Sequence, residues 1–136
     1  MRLTWGERTW VMGILNVTPD SFSGDGLATP DRGIDEVVAS AVEQAVAFVA
    51  AGAEILDVGA ESTRPRTAYG DRPPVDEATE AALAIPVVRA VAEAVGDRAL
   101  VSIDTSKGPV ARAALDAGAG VQRRACDGAL GRIDAD

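Results

Sequence analysis

Gly52-Ala53-Glu54-Ile55-Leu56-Asp57-Val58-Gly59 is the passage that decides the fold. Ile55 to Val58 is a short apolar run containing β-branched residues, too brief for a helix, and it reads as a strand. Before it, Val37, Val38, Ala41, Val42, Ala45, Phe48 and Val49 recur at intervals of three and four from Ile34 onward, which is one apolar helix face. Gly52 is placed to end that helix as a left-handed cap. Helix and strand thus follow one another with almost no linker. The same alternation continues on both sides. Trp10 to Leu15 is an apolar run ending at Asn16 and the turn Thr18-Pro19-Asp20, and it reads as a buried strand. Asp76-Glu77 opens a helix running to Val95 and closed by Gly96, with Pro86 inside it expected to kink or split it. Leu100 to Ile103 is a third strand, and Pro109 to Ala117 a short helix stopped by Gly118. Strand, loop and helix repeat three times. Such alternation predicts an α/β fold with a parallel sheet and right-handed crossovers.

The 136 residues allow one domain. Forty-seven per cent hydrophobic and 25% charged residues describe a globular chain. Its longest run free of strongly polar residues, Ala45 to Ala53, is far below the ~20 apolar residues of a membrane span. Met1 to Glu7 has no apolar core for export, which points to a cytoplasmic protein. The formal charge is −8, the wrong sign for a nucleic-acid surface. No histidine and a single cysteine, Cys126, exclude disulfide frameworks, Cys/His zinc sites and Ser-His-Asp triads. Chemistry is left to carboxylates, amides, hydroxyls, Lys and Arg, and the expected partner is a small molecule.

Strands that all point one way deliver their last residues to one edge, where α/β folds bind ligands. Here those residues are Asn16, Asp57 and Asp104. Each alone reads equally well as a turn or helix cap, but three in three strands point to a site. The loop after the first strand, Thr18 to Gly26, holds Phe22 among small polar residues; Phe22 either tucks beneath the loop or meets a ligand. Gly59-Ala60-Glu61-Ser62-Thr63-Arg64-Pro65-Arg66 offers hydroxyls and guanidinium forks suited to phosphate oxygens, or is a solvated loop. Lys107 reads most simply as a solvated lysine at a helix start, the alternative being a charge that balances Asp104.

Three passages carry a resemblance: Met12-Gly13-Ile14-Leu15-Asn16-Val17-Thr18-Pro19-Asp20-Ser21-Phe22-Ser23, Gly52 to Pro65, and Val101-Ser102-Ile103-Asp104-Thr105-Ser106-Lys107. In this order and spacing they resemble the signatures of the dihydropteroate synthase family, over roughly residues 10 to 119. The resemblance implies a TIM (β/α)8 barrel, of which this chain holds the first three to four β/α units. It implies an enzyme joining 4-aminobenzoate to 6-hydroxymethyl-7,8-dihydropterin diphosphate, with release of diphosphate, in folate biosynthesis. It also implies that Asn16 helps hold Mg²⁺ on the diphosphate and that Thr63 and Arg64 meet the diphosphate end. Asp104 then binds the pterin and stabilises its cation, Asp57 is a pocket aspartate, and Phe22 and Pro65 close over the aminobenzoate. The whole enzyme is expected to be a homodimer. Two rivals are a pterin-binding methyltransferase and a non-catalytic half-barrel living on a partner. The loops Thr18 to Ser23 and Ser62 to Pro65 favour the synthase over the methyltransferase.

A complete barrel takes about 250 residues, so half is expected to be missing. After Val121 the family pattern continues with one apolar residue and Asn-Asp, where this chain has Gln122-Arg123-Arg124-Ala125-Cys126-Asp127-Gly128. Codons CAA-CGA-CGN for Gln-Arg-Arg contain, one base later, AAC-GAC-GNG, which can read Asn-Asp-Val. Residues 1–121 are therefore expected to be the amino-terminal part of the barrel and residues 122–136 an aberrant, frameshifted tail. An unfinished sheet has two open edges and an open inner face, which predicts a chain without turnover that is not a stable monomer. Val11, Ile14, Leu56, Val101 and Ile103 are the side chains expected to lose cover.

Overall fold

A computed structural model describes residue 6 and residues 8–18, 32–61 and 75–123, the last three through their backbone alone. Strand β1 (Met12–Asn16) is followed by α1 (Ile34–Ala50), β2 (Ile55–Gly59), α2 (Glu77–Val95), β3 (Leu100–Asp104), α3 (Gly108–Asp116) and β4 (Val121–Arg123). All strand pairs are parallel and the sheet order is β1-β2-β3-β4, so each strand lies beside the next in the chain. β4 runs two residues past Val121, where the sequence reading placed the barrel's last residue.

Alternation along the strands separates two faces. Leu15, Leu56, Val58, Val101 and Ile103 are buried with Val37, Ala41 and Ala45 of α1 and Ala84, Val87, Val88 and Val91 of α2. This helix-covered layer is the core. Leu56, Val101 and Ile103, expected to lose cover, are therefore buried, whereas Val11 and Ile14 are 52% and 54% exposed. Of the five, only Val11, just before β1, and Ile14, on the face of β1 turned away from the helices, are exposed.

The helix ends follow from local chemistry. Gly52, Gly96 and Gly118 all adopt positive φ just beyond helices, as the cap reading required. Asp76 caps α2, accepting hydrogen bonds from Thr79 N (3.0 Å) and Thr79 Oγ1 (2.6 Å). The Thr79 hydroxyl above all, with the backbone amide, holds the Asp76 carboxyl below its usual range. At the other end Arg98 donates to the carbonyls of Ala94 and Val95. Pro86 does not split α2, which is continuous from Glu77 to Val95. Buried Ala84, Val87 and Val88 bracket the proline and hold the helix on the sheet, while Ala82, whose carbonyl loses its usual donor, is exposed to water.

Candidate active site

Register places the polar residues of the open face in rows. Asn16, Gly59 and Asp104 are direct neighbours across β1, β2 and β3, at the carboxyl ends of all three strands. Strands lie about 4.8 Å apart, so Asn16 and Asp104 stand two strand spacings from one another, roughly 10 Å. The residue between them is glycine. A Cβ added at Gly59 would lie 3.9 Å from Asp104 Cβ, so the notch between amide and carboxylate is open because this position has no side chain.

Asp57 is not at the edge, contrary to the sequence reading. β2 continues to Gly59, which sets Asp57 in mid-strand in the row Ile14, Asp57, Ser102. It is 3% exposed and accepts a hydrogen bond from Ser102 Oγ on the neighbouring strand. A buried carboxylate needs such donors, since desolvating it unpaired costs several kcal/mol, of the order of ~5. Asp57 thus lies buried one row below the edge, and Asn16 and Asp104 stand on the edge row itself. The ladder carries on past the rim, where Val17 N donates to Gly59 O at 2.9 Å and Val17 and Thr18 are both buried. Phe22, Thr63, Arg64 and Pro65 lie outside the described residues.

Sequence reasoning missed one constellation beside this rim. Lys107 is not a solvated lysine. Its Nζ donates to Glu80 Oε2 at 2.5 Å and to Glu61 Oε2 at 2.6 Å. Burial works against the ammonium, but the hydrogen bonds and charges of the two glutamates outweigh it and hold Lys107 above the ordinary lysine range. Nothing local could reveal this, because the partners are 46 and 27 residues away. The one signal was Glu80 itself, a charge among the apolar positions of α2. Among the described residues no group of three or more Asp, Glu or Cys is arranged to hold a metal, and no helix is long and apolar enough to cross a membrane.

Parallel β/α units with a polar, notched carboxyl edge define the class of the barrel-type ligand-binding enzymes. Within it, the pterin binding enzyme model matches residues 12–121, and the chain belongs to that family. It is 49% identical over 117 residues to a probable bifunctional folylpolyglutamate synthase/dihydropteroate synthase of Haloferax volcanii, covering 86% of this chain and 12% of that protein. It is 42% identical over 115 residues to the dihydropteroate synthase of Synechocystis, covering 85% and 35%. Among solved structures, the Xanthomonas albilineans dihydropteroate synthase with 4-aminobenzoic acid superposes with a TM-score of 0.63 at 39% identity, covering 85% of this chain and 38% of that one. The Anaplasma phagocytophilum enzyme with bound 6-hydroxymethylpterin-monophosphate also gives 0.63, at 32% identity, covering 81% and 37%. The chain therefore spans about a third of the single-function synthases it matches, and its fold is part of a TIM barrel, left open.

Proposed function

We propose that residues 1–121 are the amino-terminal part of a dihydropteroate synthase, and that the Asn16–Gly59–Asp104 row is its half of the substrate site. That row carries the proposal: an amide and a carboxylate flank a glycine on one edge row, in a chain of the pterin binding family. In the whole barrel, 6-hydroxymethyl-7,8-dihydropterin diphosphate loses its diphosphate as the C–O bond breaks. The resulting pterin methylene cation is attacked by the amine of 4-aminobenzoate, forming the C–N bond and releasing a proton. Asp104 stabilises the cation from a site sheltered from water, where a fixed charge is worth most. Arg64 and Thr63 receive the leaving diphosphate. Asp57 holds the pocket floor, and Phe22 and Pro65 cover the aminobenzoate. An arylamine is nucleophilic while neutral, so no histidine base is required.

We propose that Asn16 helps hold Mg²⁺ on the diphosphate. Asn16 supplies a neutral, partly exposed oxygen at the rim, which suits a hard cation that keeps most of its waters and leans on substrate phosphates. Bound there, the ion would neutralise leaving-group charge. Diphosphate esters do not cross bilayers, which suits a cytoplasmic setting, and the whole enzyme is proposed to be a homodimer. We further propose that residues 122–136 are an out-of-frame tail; sequencing the gene across codons 115 to 136 and beyond decides this, an intact single frame there refuting it.

The function is tested in a hybrid barrel, with residues 12–121 replacing the matching segment of the Synechocystis synthase. Diphosphate release is expected to require both substrates. Asp104→Asn should lower kcat roughly a hundredfold or more, with little change in KM, while Arg64→Ala should chiefly raise KM for the pterin diphosphate. A soluble hybrid without turnover would refute the assignment. Identical kinetic defects in the two variants would refute the division of roles.

A further inference from the structure

Three charged side chains beside the rim link separate connections of the fold. Glu80 is fully buried on α2, and its Oε2 accepts from Lys107 Nζ while its Oε1 has no partner among the described residues. Lys107 immediately precedes α3 and donates also to Glu61 Oε2. The second oxygen of Glu61 accepts from the backbone N–H of Val75 at 3.2 Å. Glu61 and Val75 stand at opposite ends of the connection from β2 to α2, so one carboxylate ties those two ends together. The turn after β3 is held as well: the Lys107 amide donates to Thr105 Oγ1 at 3.1 Å, and Asp104, at its start, is fixed by the strand ladder.

Stability alone does not account for this arrangement. An apolar side chain in place of a fully buried glutamate generally packs at least as stably as an ion pair, since two charges must be desolvated to form the pair. Among the described residues two carboxylates share a single ammonium, and one carboxylate oxygen has no donor. What an apolar residue could not do is hold Lys107 in one place and, through it, Glu61.

We propose that Lys107 is a positioning residue: the series Glu80, Lys107, Glu61 is a latch that draws Glu61 and the Val75 amide together and sets them against the Asp104 turn. The role rests on the reading of this edge as the diphosphate and pterin half-site, because only then does alignment of Glu61 and Val75 with Asp104 serve binding.

The test uses the full 136-residue chain and peptide-resolved hydrogen exchange. Lys107→Met alone strands a buried carboxylate and can unfold the chain, so the informative variant is Lys107→Met with Glu80→Leu, which removes both charges and restores packing. In this double variant the peptide containing Val75 should exchange about tenfold faster, while the β3 peptide and the second half of α2 keep their protection. Lys107→Arg should restore protection at Val75. Unchanged exchange at Val75, or an equal acceleration everywhere, would overturn the latch. Calorimetry with inorganic diphosphate and Mg²⁺ separates the two readings. Wild-type chain that binds diphosphate several-fold more tightly than the double variant supports positioning, and equal affinities overturn it. Wild-type chain that binds none counts against the proposed half-site, and the latch is then decided by exchange at Val75.

Discussion

Lys107 and Asp104 are three residues apart and were unequally legible. Asp104 could be read because a polar residue ending an apolar run marks the end of a strand, and parallel strands collect their ends at one edge. Asn16 was legible for the same reason. Asp57 shared the signal but not the position, because Val58 and Gly59 prolong the strand and set it one row deeper, where Ser102 satisfies it. The surroundings of Lys107 depend wholly on tertiary contacts with Glu61 and Glu80, which no spacing along the chain encodes. Its titration gives a prediction with a defined sign. A lysine whose pKa is raised on folding contributes its full stabilisation below the unfolded value, about 10.4, and loses it as pH rises through the folded value. Urea midpoints of the wild-type chain should therefore fall above about pH 10.5 by more than those of the variant carrying Lys107→Met and Glu80→Leu. Parallel curves would show that Lys107 is not held by the glutamates. At neutral pH, Lys107→Ala should cost about 3 kcal/mol, since it leaves the Glu80 charge buried and unpaired.

Elements were legible where apolar periodicity was strong, and their ends where glycine or aspartate marked a cap. Pro86 was legible in part: of the kink or split expected there the split is absent, because the buried residues on either side of the proline pack on the sheet and outweigh its local penalty of about 3 kcal/mol. A second lesson in packing comes from Gly13 in β1, within the apolar run Trp10 to Leu15. Phe48 of α1 lies on its backbone so closely that an added Cβ would meet the ring at 2.5 Å, at atoms near the root of the side chain. The contact sets the distance between helix and strand. Gly13→Ala should therefore destabilise the chain by about 1–3 kcal/mol, read as a lower urea midpoint, whereas Gly59→Ala, whose Cβ would meet Asp104 Cβ at an ordinary contact distance of 3.9 Å, should be tolerated by the fold. Equal costs for the two would show that Phe48 moves aside freely.

The whole molecule is an open sheet. β1 pairs with β2 alone among the described residues, and beside it Val11, Met12, Gly13, Ile14, Gln44 and Phe48 line a hollow of about 580 Å³. Parallel strands are ordinarily covered on both faces, and among the described residues helices cover one face only, with Ile14 on the other 54% exposed. Size-exclusion chromatography of the 136-residue chain should therefore show association beyond a monomer, increasing with salt as the net charge of −8 is screened, and assays with both substrates should show no diphosphate release. A monodisperse monomer or measurable turnover would overturn this. The parallel class and the incomplete barrel were legible from the repeat of strand and helix, but which side chains lose cover was not, because that depends on which face the helices take.

The neighbour-by-neighbour order of the sheet also bears on how such a chain is born. Among the described residues every strand lies against the one synthesised just before it, so no strand must wait for a distant one to emerge from the ribosome. At roughly 5–20 residues per second, each new β/α unit has seconds in which to dock before the next arrives. Assembly can therefore proceed in step with translation, leaving β4 as a growing end on which any later unit would be laid.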